Sequence, residues 1–262
     1  MTLRIIVLGD IFGNPGRKIV KDSLPKLREL HQPDVIIANG ENAAGGFGLT
    51  KKVAEELFDL GIDVITSGNH IWDKKEVYPY LQQEQRVLRP ANYPPGVPGS
   101  YVHYLPVGTE TLAVLSLTGR VFMGDFDCPF RKFDQLYGEM SQQTRHIVVD
   151  FHAEATSEKI AFGWHVDGRA SLVVGTHTHV ATADQRLLDR GTGYVTDLGM
   201  CGPMDGVLGV ERQPVIQKFL TQLPNRFTVA SGRSQLNGVL AELDRKGKTT
   251  EIFRLSDQEN IV

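Results

Sequence analysis

The strongest constraint on the fold is a repeated unit, a short apolar run that stops at glycine and a few polar donors. Leu3 to Leu8 stops at Gly9-Asp10, Asp34 to Ala38 at Asn39-Gly40-Glu41-Asn42, and Asp63 to Thr66 at Ser67-Gly68-Asn69-His70. Later, His146 to Asp150 stops at Phe151-His152, and Leu172 to Val174 at Gly175-Thr176-His177-Thr178-His179. Short runs rich in Ile and Val, bounded by turn residues, read as strands buried on both faces. Between the first three lie two helical patterns. Gly16 to Leu30 places Ile19, Val20, Leu24, Leu27 and Leu30 at helical spacing behind Pro15; Lys51 to Leu60 has Val53, Leu57 and Leu60 on one face, with Gly61 as its stop. Strands alternating with helices predict an α/β fold with parallel strands.

The middle of the chain breaks this rhythm. Arg89 to Gly99 holds Pro90, Pro94, Pro95 and Pro98 and reads as a rigid loop. Tyr101 to Val107 and Leu112 to Leu117 read as an antiparallel pair, and Phe122 to Phe133 as an aromatic-rich loop. Gly193 to Asp197 and Val239 to Leu243 are late strand candidates, the last turning through Lys246-Gly247-Lys248 into Glu251 to Leu255. One domain spanning residues 1–262, with two mixed sheets packed face to face and helices outside, accommodates this many strands.

Composition excludes several function classes. Hydrophobic residues are 41% and charged residues 23% of 262, so the chain can bury a core and is not disordered. The net charge of -3 gives no basic footprint for long nucleic acids, whose binding rests on phosphate contacts. Cys128 and Cys201 are too few for a disulfide framework and lack metal-finger spacing. No apolar run approaches the roughly 20 residues of a membrane helix, and Met1 to Asp10 lacks signal-peptide architecture. The expected compartment is the cytoplasm.

Asp10, Glu41, Asn42, Asn69, His70, His152, His177 and His179 share one address: the carboxyl end of a strand or just beyond it. Ligands of open α/β sheets bind outside those ends. Carboxylate, imidazole and carboxamide donors without thiolate suit Mn, Fe or Zn. There are more of them than one tetrahedral site uses. Two ions about 3.5–4 Å apart, bridged by a carboxylate, would use them and could activate water on a phosphate.

In order and combination these motifs resemble the calcineurin-like metallophosphoesterases, and most closely the YmdB-like bacterial phosphodiesterases. Asp150-Phe151-His152-Ala153-Glu154-Ala155-Thr156-Ser157-Glu158-Lys159 and Asp167-Gly168-Arg169-Ala170-Ser171 are similar to signatures of that subfamily. The resemblance runs from Leu3 to about Gly209. It implies a four-layer α-β-β-α sandwich with a dinuclear centre of iron or manganese. Asp10, Glu41 and His179 would hold one ion, with Asn42 beside it; Asn69, His152 and His177 would hold the other, with Glu41 bridging. His70 would be the general acid. The implied reaction is hydrolysis of a 2',3'-cyclic nucleotide to the 3'-nucleotide by metal-activated hydroxide. Against the wider superfamily three positions depart: Phe12 stands where a histidine is usual, Glu41 replaces an aspartate, and Ile71 rather than an acid follows His70. Asp73 is then the candidate to orient the His70 ring.

Other readings stay open. A phosphomonoesterase or nuclease on the same scaffold, or a nucleotide-sensing module with incidental turnover, fits the same residues. A small cyclic nucleotide is the expected ligand, and a second copy of the chain a candidate partner. Asn92, Tyr93 and Phe126 are candidates to contact a base. Glu154 is a candidate to support His152 from behind. His31, His103, His146 and His165 read as structural, and Asp125, Asp127, Arg131 and Lys132 as a solvated loop.

Overall fold

The computed structural model describes residues 2–258. In chain order the first half holds β1 (Leu3–Ile11), α1 (Gly13–His31), β2 (Val35–Asn39), α2 (Lys51–Asp59), β3 (Val64–Thr66), α3 (Val77–Leu81), β4 (Val102–Val107) and β5 (Glu110–Thr118). The second half holds α4 (Pro129–Gln143), β6 (His146–His152), α5 (Thr156–Val166), β7 (Leu172–Thr176), β8 (Arg186–Leu187), β9 (Gly193–Val195), β10 (Met200–Pro203), α6 (Arg212–Thr221), β11 (Ser234–Leu243) and β12 (Thr249–Gln258).

They form two six-stranded sheets, β12-β11-β10-β1-β2-β3 and β4-β5-β6-β7-β9-β8. Strands β10, β1, β2 and β3 run parallel in the first sheet and β5, β6, β7 and β9 in the second; β11 pairs antiparallel with both β1 and β10, and hairpins add β12, β4 and β8 at the edges. Alternation along a strand sends successive side chains to opposite faces. Ile5 and Val7 of β1 therefore meet Val114, Val148 and Val174 of the other sheet. Ile6 and Leu8 turn the other way, onto Ile19 and Leu24 of α1. On the second sheet Ile147, Val149 and Phe151 pack outward on Phe133 of α4 and Phe162 of α5. Three apolar layers thus separate four layers of structure, the α-β-β-α sandwich that the resemblance implies.

Local chemistry sets the helix ends. The Thr50 hydroxyl caps α2 by accepting from the Val53 N–H at 3.2 Å, a contact of about 1 kcal/mol. Four helices were not legible in the sequence, α3 to α6, and two of them show why. The segment Phe122–Phe133, expected as a loop, becomes helical at Pro129. Proline there loses no helical hydrogen bond, and Phe133 and Met140 anchor the helix on the sheet. In α5 the inner face carries buried Glu158 and Lys159, which interrupt the apolar stripe that marks a helix in sequence.

Candidate metal centre

Parallel strands bring their carboxyl ends to one edge. Asp10 is the penultimate residue of β1, Glu41 and Asn42 follow β2, and Asn69 and His70 lie in a 3-10 turn after β3. His152 ends β6, and His177 and His179 lie just beyond β7. A buried carboxylate stitches the two sheets beneath them. Asp150 of β6 accepts from Asn39 of β2 at 3.1 Å, Thr66 of β3 at 2.5 Å and Thr176 of β7 at 2.7 Å. Burial raises its pKa above the ordinary aspartate range.

All eight sequence-predicted residues meet at this edge. Around His152 Nε2 lie Glu41 Oε1 at 3.1 Å, His177 Nδ1 at 3.1 Å and Asn69 Oδ1 at 3.2 Å. Atoms bound to one ion at about 2.1 Å in a tetrahedron stand roughly 3.4 Å from one another, so this spacing suits a shared cation. A second corner adjoins it. Asn42 Nδ2 lies 3.1 Å from Glu41 Oε1 and 3.3 Å from His179 Nε2. Asp10 Oδ1 and Asn42 Oδ1 are buried there without a hydrogen-bond partner, a costly state that a cation would relieve.

The outward ring nitrogens decide what the inward ones can do. His152 Nδ1 is 2.9 Å from the Thr176 hydroxyl, whose own proton goes to Asp150. His177 Nε2 is 3.1 Å from Glu154 Oε2, and His179 Nδ1 is 3.0 Å from the Leu208 carbonyl. Each outer partner holds a proton on the nitrogen it faces. In the neutral ring the nitrogen turned into the site is then a lone pair, the pattern of histidines prepared for metal. Donor chemistry, spacing and orphaned oxygens all fit divalent ions.

Charges in the cluster compensate one another. Burial opposes a charge on Glu41, but His152 and His70 overcome it and hold its pKa at about 2. Burial likewise opposes a charge on His152, but Glu41 and Asp10 raise it to about 9. Asp10, desolvated, rises to about 6, and His177, buried beside His152, falls to about 3. One shared proton on His152 therefore occupies the place a cation would take.

Backbone strain is held by a buried network. His177 and His179 adopt positive φ values of 105° and 65°, worth roughly 1–3 kcal/mol each. The His177 N–H donates to Asp10 Oδ2 at 3.1 Å and the Thr178 N–H to Asp197 Oδ2 at 3.2 Å. Lys159 Nζ donates to Asp197 Oδ2 at 2.5 Å and to the Thr176 carbonyl at 2.8 Å. At Gly68 a Cβ would stand 2.1–2.4 Å from the His152 ring, so only glycine leaves the imidazole its place.

A model of the YmdB-like protein family matches residues 6–255. The chain belongs to the YmdB-like family. A Bacillus subtilis (strain 168) relative named 2',3'-cyclic-nucleotide 2'-phosphodiesterase is 51% identical, covering 94% of this chain and 93% of its own. A putative phosphatase/phosphodiesterase of Mycoplasma pneumoniae is 35% identical over 98% of this chain and 95% of its own. Among solved structures, a Thermus thermophilus protein described as hypothetical superposes with a TM-score of 0.93 at 41% identity, covering 98% of this chain and 100% of its own. A Mycoplasma pneumoniae protein described as a novel phosphatase superposes with 0.94 at 32%, covering 99% and 95%. The chain therefore shares both family and fold with enzymes of phosphoester hydrolysis.

Within this YmdB-like chain, other sequence candidates sort by contact. Glu154 supports His177 rather than His152. Asp73 Oδ2 lies 2.9 Å from His70 Nδ1, the orienting partner the sequence suggested. Asn92 is fully buried and bonded to backbone at Thr118 and Asp127, so it is no base contact. Sequence reasoning gave no role to Lys159, Thr176 or Asp150, although all three lie in or beside the signature motifs. Nothing in the sequence signals the Leu208 carbonyl, because any residue carries one. Among the described residues no helix is long and apolar enough to cross a membrane.

Proposed function

We propose that this chain, acting as one catalytic unit, is a metal-dependent phosphodiesterase that converts 2',3'-cyclic nucleotides to 3'-nucleotides. The observation that carries it is the set of three histidines, His152, His177 and His179, each with one nitrogen tied down and the other facing a common carboxylate-lined site, with His70 at its edge. The name of the Bacillus subtilis relative supports the substrate class. In this reading Asp10, Glu41 and His179 hold one ion with Asn42 beside it. Asn69, His152 and His177 hold the other, and Glu41 serves both. Iron or manganese suits these donors, and zinc is admissible. When bound, two such ions would neutralise phosphate charge and supply a nucleophilic water of low pKa.

The protein's own groups complete the reaction. His70 stands at the mouth of the site: its N–H donates to Glu41 Oε2 at 3.1 Å, and its ring is one-third exposed. With Nδ1 held by Asp73, Nε2 is the nitrogen left to face substrate. As water oxygen bonds to phosphorus and the P–O2' bond breaks, His70 gives its proton to the departing 2'-oxygen. The Asp73 carboxylate fixes the orientation of the ring for this transfer. Phe12 packs edge-on against His179, with ring centroids 5.3 Å apart. It offers no ligand atom where the wider superfamily offers an imidazole.

The test is metal analysis of protein purified without added metal, then rates with each ion on 2',3'-cyclic nucleotides, 5'-mononucleotides and single-stranded RNA. Cyclic substrates are expected to turn over fastest, yielding the 3'-nucleotide. Faster turnover of 5'-mononucleotides would make the chain a phosphomonoesterase, and faster cleavage of RNA a nuclease. Tight nucleotide binding with slow turnover of everything would favour a sensor.

A further inference from the structure

The donor cluster occupies only one end of a cavity of about 520 Å³. Glu41, His70, His177 and His179 line that end. The rest of the cavity's lining is largely apolar, with Phe47 next to His70 and Leu208, Val215, Phe219 and Phe227 beyond the cluster. We propose that this apolar end is a nucleobase subsite that grips the base by its faces without reading its edges. The proposal rests on the phosphodiesterase reading above and names where the nucleoside of that substrate lies.

Three observations carry it. The first is continuity. The Phe47 ring is 5.3 Å from the His70 ring, and Phe12 joins Phe47 to His179 through edge contacts. The apolar wall thus begins one ring away from the groups assigned to the phosphate. A cyclic nucleotide carries its base at just such a short remove from its phosphate. The volume lies within the range of small-molecule pockets, about 300–1,000 Å³, and far exceeds what a phosphate needs.

The second is chemistry. Phe219 is 74% exposed, Leu208 52% and Phe47 38%. Apolar surface left in water beside a polar centre is costly until a flat apolar ligand covers it. The amide, hydroxyl and carboxylates of the cavity, on Asn42, Thr178, Glu41 and Glu154, all belong to the donor cluster or flank it in sequence, and the apolar side chains have nothing to pair with the edge of a base. The charged group beside them is Lys218, whose ammonium sits 5.2 Å over the Phe227 ring. Such a surface accepts purines and pyrimidines alike.

The third is coupling. Leu208 has a positive φ of 51°. A two-way backbone pairing of Val207 with Val210, at 2.8 and 3.1 Å, fixes the turn that contains it. Its side chain lines the apolar end while its carbonyl holds His179 Nδ1. One turn thus frames the base and steadies a donor of the phosphate end, which fixes the distance between the two.

The experiment compares kcat/KM for the four nucleoside 2',3'-cyclic phosphates with that for methyl riboside 2,3-cyclic phosphate, which lacks a base. The unaltered enzyme should handle the four nucleotides within a few-fold of one another. It should prefer them to the base-free ester by roughly tenfold, the size of one lost stacking contact. Phe219→Ser and Phe47→Ser should collapse that preference towards unity through KM, and Phe219→Tyr should preserve it. Calorimetry should show the same pattern for a 3'-nucleotide against ribose 3-phosphate, with no turnover involved. Equal efficiency on the base-free ester, or discrimination among bases of a hundredfold or more, would overturn the subsite. So would equal losses on both substrate classes in Phe219→Ser. Were Phe219→Ser to split an oligomer without moving the preference, the wall would be an interface between copies and the subsite would be refuted. Absence of turnover on every substrate would sink the phosphodiesterase reading instead, and product binding would still decide the subsite.

Discussion

His152 and His179 stand at opposite corners of one site and are held by different means. His152 closes a strand paired on both sides, with Thr118 opposite it on β5 and Thr176 on β7. Its ring is fully buried, and its outer nitrogen rests on a hydroxyl locked by Asp150. His179 lies beyond a strand end, at positive φ, and its outer nitrogen rests on a loop carbonyl that is itself at positive φ. Sheet registry positions His152, whereas strained backbone positions His179 and its Leu208 support; His177, with φ 105°, joins the first corner from the same strained segment. The donors of Glu41, His152 and His177 already lie within 4.8 Å of one another. The Asp10–Asn42–His179 corner instead holds two orphaned oxygens. Registry makes a site stiff before an ion arrives; turns make one that the ion must help to finish.

The largest effect is expected from Glu41→Ala, because Glu41 reaches both corners. Metal analysis should find less than one ion per chain, with turnover near background. Two ions retained would show that the corners do not share this carboxylate. Next, His70→Ala should keep its metal and lose roughly 10²–10⁴-fold in rate, the usual cost of removing a general acid. A nitrophenolate leaving group should recover most of that loss; an equal loss on both substrates would reject the acid role.

Lys159→Met tests the strained turn. It leaves Asp197 buried without its cation, which typically costs roughly 3–5 kcal/mol. Thermal denaturation should show that loss, and chelator titration should strip an ion from the His179 corner well before the His152 corner. Simultaneous release from both corners would erase the distinction drawn above.

The smallest effect is a slope with pH in the stripped protein. A group whose folded pKa is raised stabilises the fold while it is protonated. For Asp10 that stability is present below its unfolded value near 4 and is lost as pH rises through about 6. For His152 it is present below about 6.5 and is lost as pH rises through about 9. Glu41, held at about 2, stays ionised across this window. His177, held down at about 3, acts in the opposite sense: its neutral buried ring costs stability below the unfolded value near 6.5, which offsets Asp10 there. The melting temperature of chelator-treated protein should therefore fall between about pH 6.5 and pH 9. Saturating metal, which binds the unprotonated ring, should flatten or reverse the slope. Parallel slopes with and without metal would argue against His152 as a ligand.

What the sequence disclosed follows from which interactions are periodic. Strands buried on both faces leave unbroken apolar runs, so the central strands and their polar ends were legible. The gathering of Asp10, Glu41, Asn69, His152 and His177 followed from parallel strands ending on one edge. The hidden parts are those where chemistry interrupts pattern. Buried Lys159 and Glu158 masked α5, and Pro129 stood inside what resembled a loop. Leu208 acts through its backbone and leaves no trace in residue type. The apolar end of the cavity draws on Phe47, Leu208 and Phe219, which follow no common period because three separate segments supply them.

Gly68 sits under the His152 ring with φ -134° and ψ -142°, outside the ordinary extended region. An added methyl would fill the space the imidazole lies in. Gly68→Ala would thus tilt one ring while every donor atom remains in the chain. One hydrogen atom at residue 68 is thus what leaves room for the metal-facing ring, and the floor of the site is as much a part of its chemistry as the donors above it.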